Sequence, residues 1–148
     1  MNEESMNKIR RALLYTALLM LSFVLSYVIA YPLEYSPLGY DVVEKKKDAV
    51  TVQHHNLLGI EKESITYTPA QDDEWYMGWV VDEIESQKVH FHLFFTSVIV
   101  SIFWGGMDYL RGKSQKKIWW FCFSTITFAG ISLLSHLNGI KEITENFI

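Results

Sequence analysis

Charges are missing from three long stretches of this chain and crowded between them. Between Arg11 and Glu34 lie 22 uncharged residues, 12–33, dominated by Leu, Val, Ile, Ala and aromatics. A second window runs from Val89 to Met107 and is closed by Asp108. A third covers Ile118–Ile140, 23 residues bounded by Lys117 and Lys141. About 20 apolar residues at a rise of about 1.5 Å cross a hydrocarbon core roughly 30 Å thick. A soluble chain of 148 residues is too short to wrap three such helices in protein. The pattern predicts a mainly α membrane protein, with three transmembrane helices and a small α+β extracytoplasmic insertion between the first and second.

The expected organisation is a tail at 1–11, spans at 12–33, 89–110 and 118–140, an inserted module at 34–88, a basic loop at 111–117 and a tail at 141–148. Val28-Ile29-Ala30 resembles a signal-peptidase site. A signal h-region is only about 7–15 residues long, however, so 12–30 reads as a retained anchor. Lys and Arg in short flanks set orientation. Lys8, Arg10 and Arg11, with Arg111, Lys113, Lys116 and Lys117, place the N-terminus and the 111–117 loop in the cytoplasm. The module and the C-terminus then face outward, and the cell membrane is the expected location. Residues 35–88 hold five Lys against eleven acids. Trp104, Tyr109, Trp119 and Trp120 flank the inner boundary, and Tyr27 and Tyr31 the outer one.

Lipid gives helices no hydrophobic reason to associate, so small and polar residues must hold a bundle together. Ser22, Ser26 and Ala30 form such a stripe on the first span, and Ser97, Ser101 and Gly105 on the second. These serve packing within one chain or, alternatively, a protein partner or self-association. On the third span Thr125, Ala129, Ser132 and His136 are expected to point into the bundle. Asp108 and Arg111 are spaced for a local helical ion pair, and Gly105-Gly106 for close approach of another helix.

Within the module, residues 40–68 alternate as strands do, in Val50, Val52 and His54 against Thr51 and Gln53. Glu44–Asp48 reads as an exposed turn, and the Leu57–Lys62 loop contains Gly59. A two- or three-stranded meander buries little alone and needs a helix to cover it. Thr68-Pro69-Ala70-Gln71 reads as a capping box opening an amphipathic helix over 69–87. Its polar row is Glu74, Gly78, Asp82 and Glu85; its apolar side is Tyr76, Met77, Val80, Val81 and Ile84. That side is expected to cover the meander, although Trp75 and Trp79 suit a membrane interface too. Nothing between Asp82 and His92 is Gly or Pro, so this helix has no break before the second span.

The net charge of −4 leaves no footprint for nucleic acid, and the single Cys122 excludes a disulfide scaffold or a multi-cysteine zinc cage. No nucleophile elbow, phosphate loop, dinucleotide fingerprint or zinc-protease helix occurs. No cofactor is expected, and no catalytic residue is assigned. The residues with metal-binding chemistry are His54, His55, His90, His92 and His136, all on the outward side or the outer boundary. His92 and His136 are expected at similar depth on facing helices. The Ser97, Ser101 and Gly105 stripe, however, begins about 140° around the second helix from His92, which disfavours a shared site. The leading expectation is a non-enzymatic interaction, sensing or assembly-support protein; the alternative is a metal- or haem-binding redox subunit using the outward histidines. A transport path is disfavoured because no span carries a charge at mid-membrane.

Overall fold

The structure is a computed structural model and describes residues 2–69 and 74–146. Its elements, in chain order, are α1 (Glu3–Ala30), β1 (Tyr40–Lys45), β2 (Val50–His55), β3 (Glu61–Tyr67), α2 (Glu74–Leu110) and α3 (Gln115–Glu145). All three helices are long and apolar enough to cross a membrane, which suggests a membrane location. Only 11% of the most apolar window of α1 or α2, and 6% of that of α3, is buried by protein. The uncovered remainder, with Leu13, Met20, Phe23, Ile102, Phe123, Phe128 and Ile131, requires an apolar surrounding.

The helix α1 stops at Pro32, whose missing N–H and ring cannot continue it. The chain then doubles back, with Leu33 N–H donating to the Val28 carbonyl and Tyr35 N–H to that of Ile29. Glu34 and Leu38 adopt positive φ to make this turn. The strands form an antiparallel meander in the order β1-β2-β3. Tyr40 faces His54 and Val42 faces Val52, while Val52 also faces Ile65. The expected turn over Glu44–Asp48 is shorter: Glu44 and Lys45 still pair within β1, and the turn is closed by Lys46 N–H donating to the Ala49 carbonyl at 2.8 Å.

The expected capping box falls partly on residues 70–73, which lie outside the described residues. From Glu74 onward α2 runs unbroken for 37 residues, about 55 Å at helical rise. The amphipathic stretch and the second apolar window are therefore one helix. Met77, Val80, Val81 and Ile84 of its first half join Tyr40, Val50 and Val52 of the sheet in a single buried cluster. Leu133, Leu137 and Ile140 of α3 complete that cluster. The meander is thus covered by helix, with each buried Val or Ile contributing about 1.5–3 kcal/mol.

Both neighbours pack on α2, from different sides. Ser22, Ser26 and Ala30 of α1 are buried, and Ser26 Oγ hydrogen-bonds Thr96 Oγ1 of α2. Ser101 and Gly105 face α3 instead: Cys122 Sγ lies 3.5 Å from the Ser101 carbonyl. A methyl at Gly105 would meet that sulfur at 3.0 Å. Ser97 is only half-buried, its hydroxyl donating to the Leu93 carbonyl.

Two local expectations are corrected. Asp108 does not pair with Arg111; both turn to α1, where the Tyr15 hydroxyl donates to Asp108 and accepts from Arg111. The buried row of α3 is Ala129, Leu133, Leu137, Ile140 and Thr144; of the expected stripe Ala129 is buried and His136 turns to α2, while Ser132 is exposed with its Oγ 3.4 Å from His90 Nδ1. The far half of α3 packs on the sheet and the amphipathic turns of α2, which takes bulky apolar residues rather than small ones.

Candidate functional site

A cluster of buried polar side chains lies where the sheet meets α2. Gly39 delivers the chain to β1 at a point too tight for any side chain, since an added Cβ would lie 2.7 Å from Ser36 Cβ and 2.9 Å from the Ser36 carbonyl oxygen. This turn brings Ser36 against β2. Ser36 Oγ is 3.0 Å from His55 Nδ1, and His55 Nε2 is 3.3 Å from Asp41 Oδ2. With Nε2–H donating to the carboxylate, Nδ1 accepts from the Ser36 hydroxyl. Beside it, Gln87 of α2 is almost fully buried and holds both backbone polar groups of Tyr40.

The order Ser–His–Asp has the composition of a hydrolytic triad, but its orientation serves another role. The Asp41 carboxylate lines a cavity of about 410 Å³, together with Glu34, Glu61, Glu85, Gln87 and Lys88; Ser36 does not. Ser36 is buried behind His55, and the nearby Gly39 N–H is already spent on the Ser36 carbonyl. A nucleophile must reach its substrate and needs free donors for the oxyanion. Here the hydroxyl is at the closed end and the acid at the open end.

Burial pushes the Asp41 carboxyl above the ordinary carboxylate range, a rise that the neighbouring His55 offsets in part and Glu34 and Glu61 add to. Lys88 Nζ lies 2.8 Å from Glu34 Oε1, and this hydrogen bond holds the ammonium above its usual value.

On the other side of the sheet His54 stacks near Tyr40, with ring centroids 4.8 Å apart, in a second cavity of about 440 Å³ shared with Lys62, Glu63, Lys141 and Glu145. Burial, then the charge of Lys62, lowers the His54 pKa. Burial also raises the Tyr40 phenol, against a lowering hydrogen bond from Thr144.

The remaining three histidines divide between two helix seams. His92 faces α1, its Nε2 lying 3.1 Å from the Phe23 carbonyl oxygen among the rings of Phe23, Tyr27 and Tyr31. His136 meets a different partner: its ring stacks on His90 with centroids 4.2 Å apart. His136 Nε2 is 3.1 Å from Ser86 Oγ, and Nδ1 is 3.4 Å from Glu83 Oε1. His136 thus meets α2 at Glu83, Ser86 and His90, whereas His92 turns to α1, so the two imidazoles lie on different faces of α2 and do not meet.

Stacked imidazoles carry their lone pairs in parallel ring planes, so His90 and His136 do not converge on a point between them. Among the described residues no group of three His, Cys, Asp or Glu side chains is arranged to hold a metal ion. Ser36, Asp41, Gln87 and Glu83 carry the polar geometry but have no motif around them. Glu83 and Ser86 are not among the expected site residues; their helical steps of three and four toward His90 are the signal that could have found them. Compared with family models, curated proteins and solved structures, the chain matches none.

Proposed function

We propose that this chain is a multi-pass protein of the cell membrane, with its N-terminus in the cytoplasm. Its outward module is a non-enzymatic unit for interaction, sensing or assembly support. The observation that carries this reading is the continuity of α2, which floors the sheet with its first half and supplies the middle helix of the bundle with its second. A contact or charge change at Asp41, His55 or Gln87 bears on the same rigid rod that holds α1 and α3. Lys8, Arg10 and Arg11 and the basic loop at 111–117 support the orientation. The polar cleft opens through a carboxylate rather than a nucleophile, which favours recognition over bond-breaking chemistry.

Two measurements test the reading. Reporter fusions after Lys113 report cytoplasm, and fusions after Lys62 report the outside; an external signal at 113 reverses the topology. In native membranes, a photoreactive residue at the exposed Leu57 of the β2–β3 loop gives a discrete protein adduct, whereas one at the lipid-facing Phe128 does not. Adducts at neither position, together with purification of this chain alone in mild detergent, would remove the interaction role.

A further inference from the structure

The bundle end opposite the sheet carries two adjoining cavities. One of about 440 Å³ is lined by Arg11, Tyr15, Trp104, Arg111 and Lys113. The other, of about 320 Å³, is lined by Asn7, Arg10, Arg11, Leu14 and Arg111. Arg11 and Arg111 belong to both, so the two spaces adjoin at these side chains and make a basic recess between α1 and the end of α2.

Its electrostatics are unbalanced. The nearest carboxylate, Asp108, does not line either cavity and is engaged by Lys113 Nζ at 3.0 Å and by the Tyr15 hydroxyl at 2.9 Å. Among the described residues Arg10 and Arg11 pair with no carboxylate. Arg111 is aimed rather than neutralised: its Nη1 donates to the Tyr15 oxygen at 2.6 Å and its guanidinium lies 4.8 Å over the Tyr15 ring. Tyr15 in turn stacks on Trp104 at 4.4 Å. Three guanidiniums thus surround one space above an aromatic and aliphatic floor. A guanidinium fork matches the geometry of phosphate oxygens, and basic pockets between membrane helices take anionic headgroups.

We infer that this recess binds the phosphate of an anionic phospholipid, with the acyl chains lying on the exposed apolar surface of α1 and α2. The inference rests on the membrane reading above. The apolar floor favours a lipid over a free anion, because Leu14 and Trp104 offer nothing to inorganic phosphate.

The test uses the full chain in nanodiscs of phosphatidylcholine, with and without a minority of phosphatidylglycerol, and reads the lipid retained by native mass spectrometry. The parent protein retains one phosphatidylglycerol in preference to phosphatidylcholine. Arg10→Gln with Arg11→Gln lowers that preference severalfold, because both guanidiniums line the recess. Lys116→Gln with Lys117→Gln removes the same charge at the same end outside the recess, and leaves the preference in place. Arg111→Lys keeps the charge but loses the planar fork, and lowers retention severalfold. Equal losses in the arginine and lysine double variants would mean diffuse surface attraction and overturn the site. Displacement of the lipid by millimolar inorganic phosphate would assign the cations to a free anion. Incorporation into neutral nanodiscs without any phosphatidylglycerol preference sinks the lipid site alone; failure to enter either nanodisc sinks the membrane reading with it.

Discussion

The carboxamide of Gln87 takes the place of a neighbouring strand for Tyr40. The Tyr40 N–H donates to Gln87 Oε1 at 2.9 Å, and Gln87 Nε2–H donates to the Tyr40 carbonyl. Gln87→Leu strands both groups in a buried setting, at about 1–3 kcal/mol for each unsatisfied partner. Hydrogen exchange should then accelerate across Tyr40–Lys45 while the helix amides of α1 stay protected. Unchanged protection in β1 would show that the clasp does not hold the sheet.

Gly39→Ala tests the same junction by sterics alone. The new methyl meets Ser36 backbone and side chain below 3.0 Å, and overpacking of this kind costs about 1–3 kcal/mol. The expected result is a lower unfolding midpoint of the detergent-solubilised protein, with loss of the Ser36–His55 contact read from the His55 side-chain NMR shift. A midpoint equal to the parent would contradict the tight turn.

At the α1–α2 seam, Ser22 and Ser26 are fully buried. Ser22→Leu should push α1 away from α2 at a cost of about 1–3 kcal/mol, whereas Met20→Leu on the exposed side should cost less than about 0.5 kcal/mol. Cross-linking between cysteines placed at Tyr15 and Trp104 reports the separation, and equal yields in both variants would refute the seam.

Stability should depend on pH through two groups of opposite sign. His54 has a lowered folded pKa, so the unfolded chain binds its proton first, and stability falls as pH drops below about 6.5. Asp41 has a raised folded pKa, so its penalty fades as pH falls from its folded value toward about 3.8. The groups facing His54 are Lys62, His55, Glu63 and Lys141. His54→Gln should therefore flatten the decline between pH 7 and pH 5, roughly the window set by an ordinary His. A variant that declines as steeply as the parent assigns that loss elsewhere.

The purified protein is expected to show no haem absorbance and no stoichiometric metal, because His92 is committed to the Phe23 carbonyl and His136 to Ser86, Glu83 and His90. A Soret band, or one metal per chain lost on His90→Ala and on His136→Ala, would restore the redox alternative.

The three apolar helices and the meander were legible because charge-free runs and period-two alternation are local signals. The orientation of His92 was legible too. Its offset of about 140° from the Ser97–Gly105 stripe reflects a middle helix with two working faces, one for α1 and one for α3. The polar site was hidden for a different reason. Ser36 meets His55 only through a turn with Leu38 at positive φ, and Gln87 meets Tyr40 across 47 positions. The His90–His136 stack depends on how far α3 slides along α2. That is fixed by Leu133, Leu137 and Ile140 seeking the sheet, and no local pattern encodes it.

Since those three α3 residues close the cluster that holds Tyr40, Val50 and Val52, the sheet is not a portable part. A gene fusion carrying residues 34–88 to another anchor would bring the strands and the first turns of α2 but leave one wall behind. The graft would expose an apolar flank and aggregate. The last helix, although far downstream in the chain, must be translated before the sheet has its full floor.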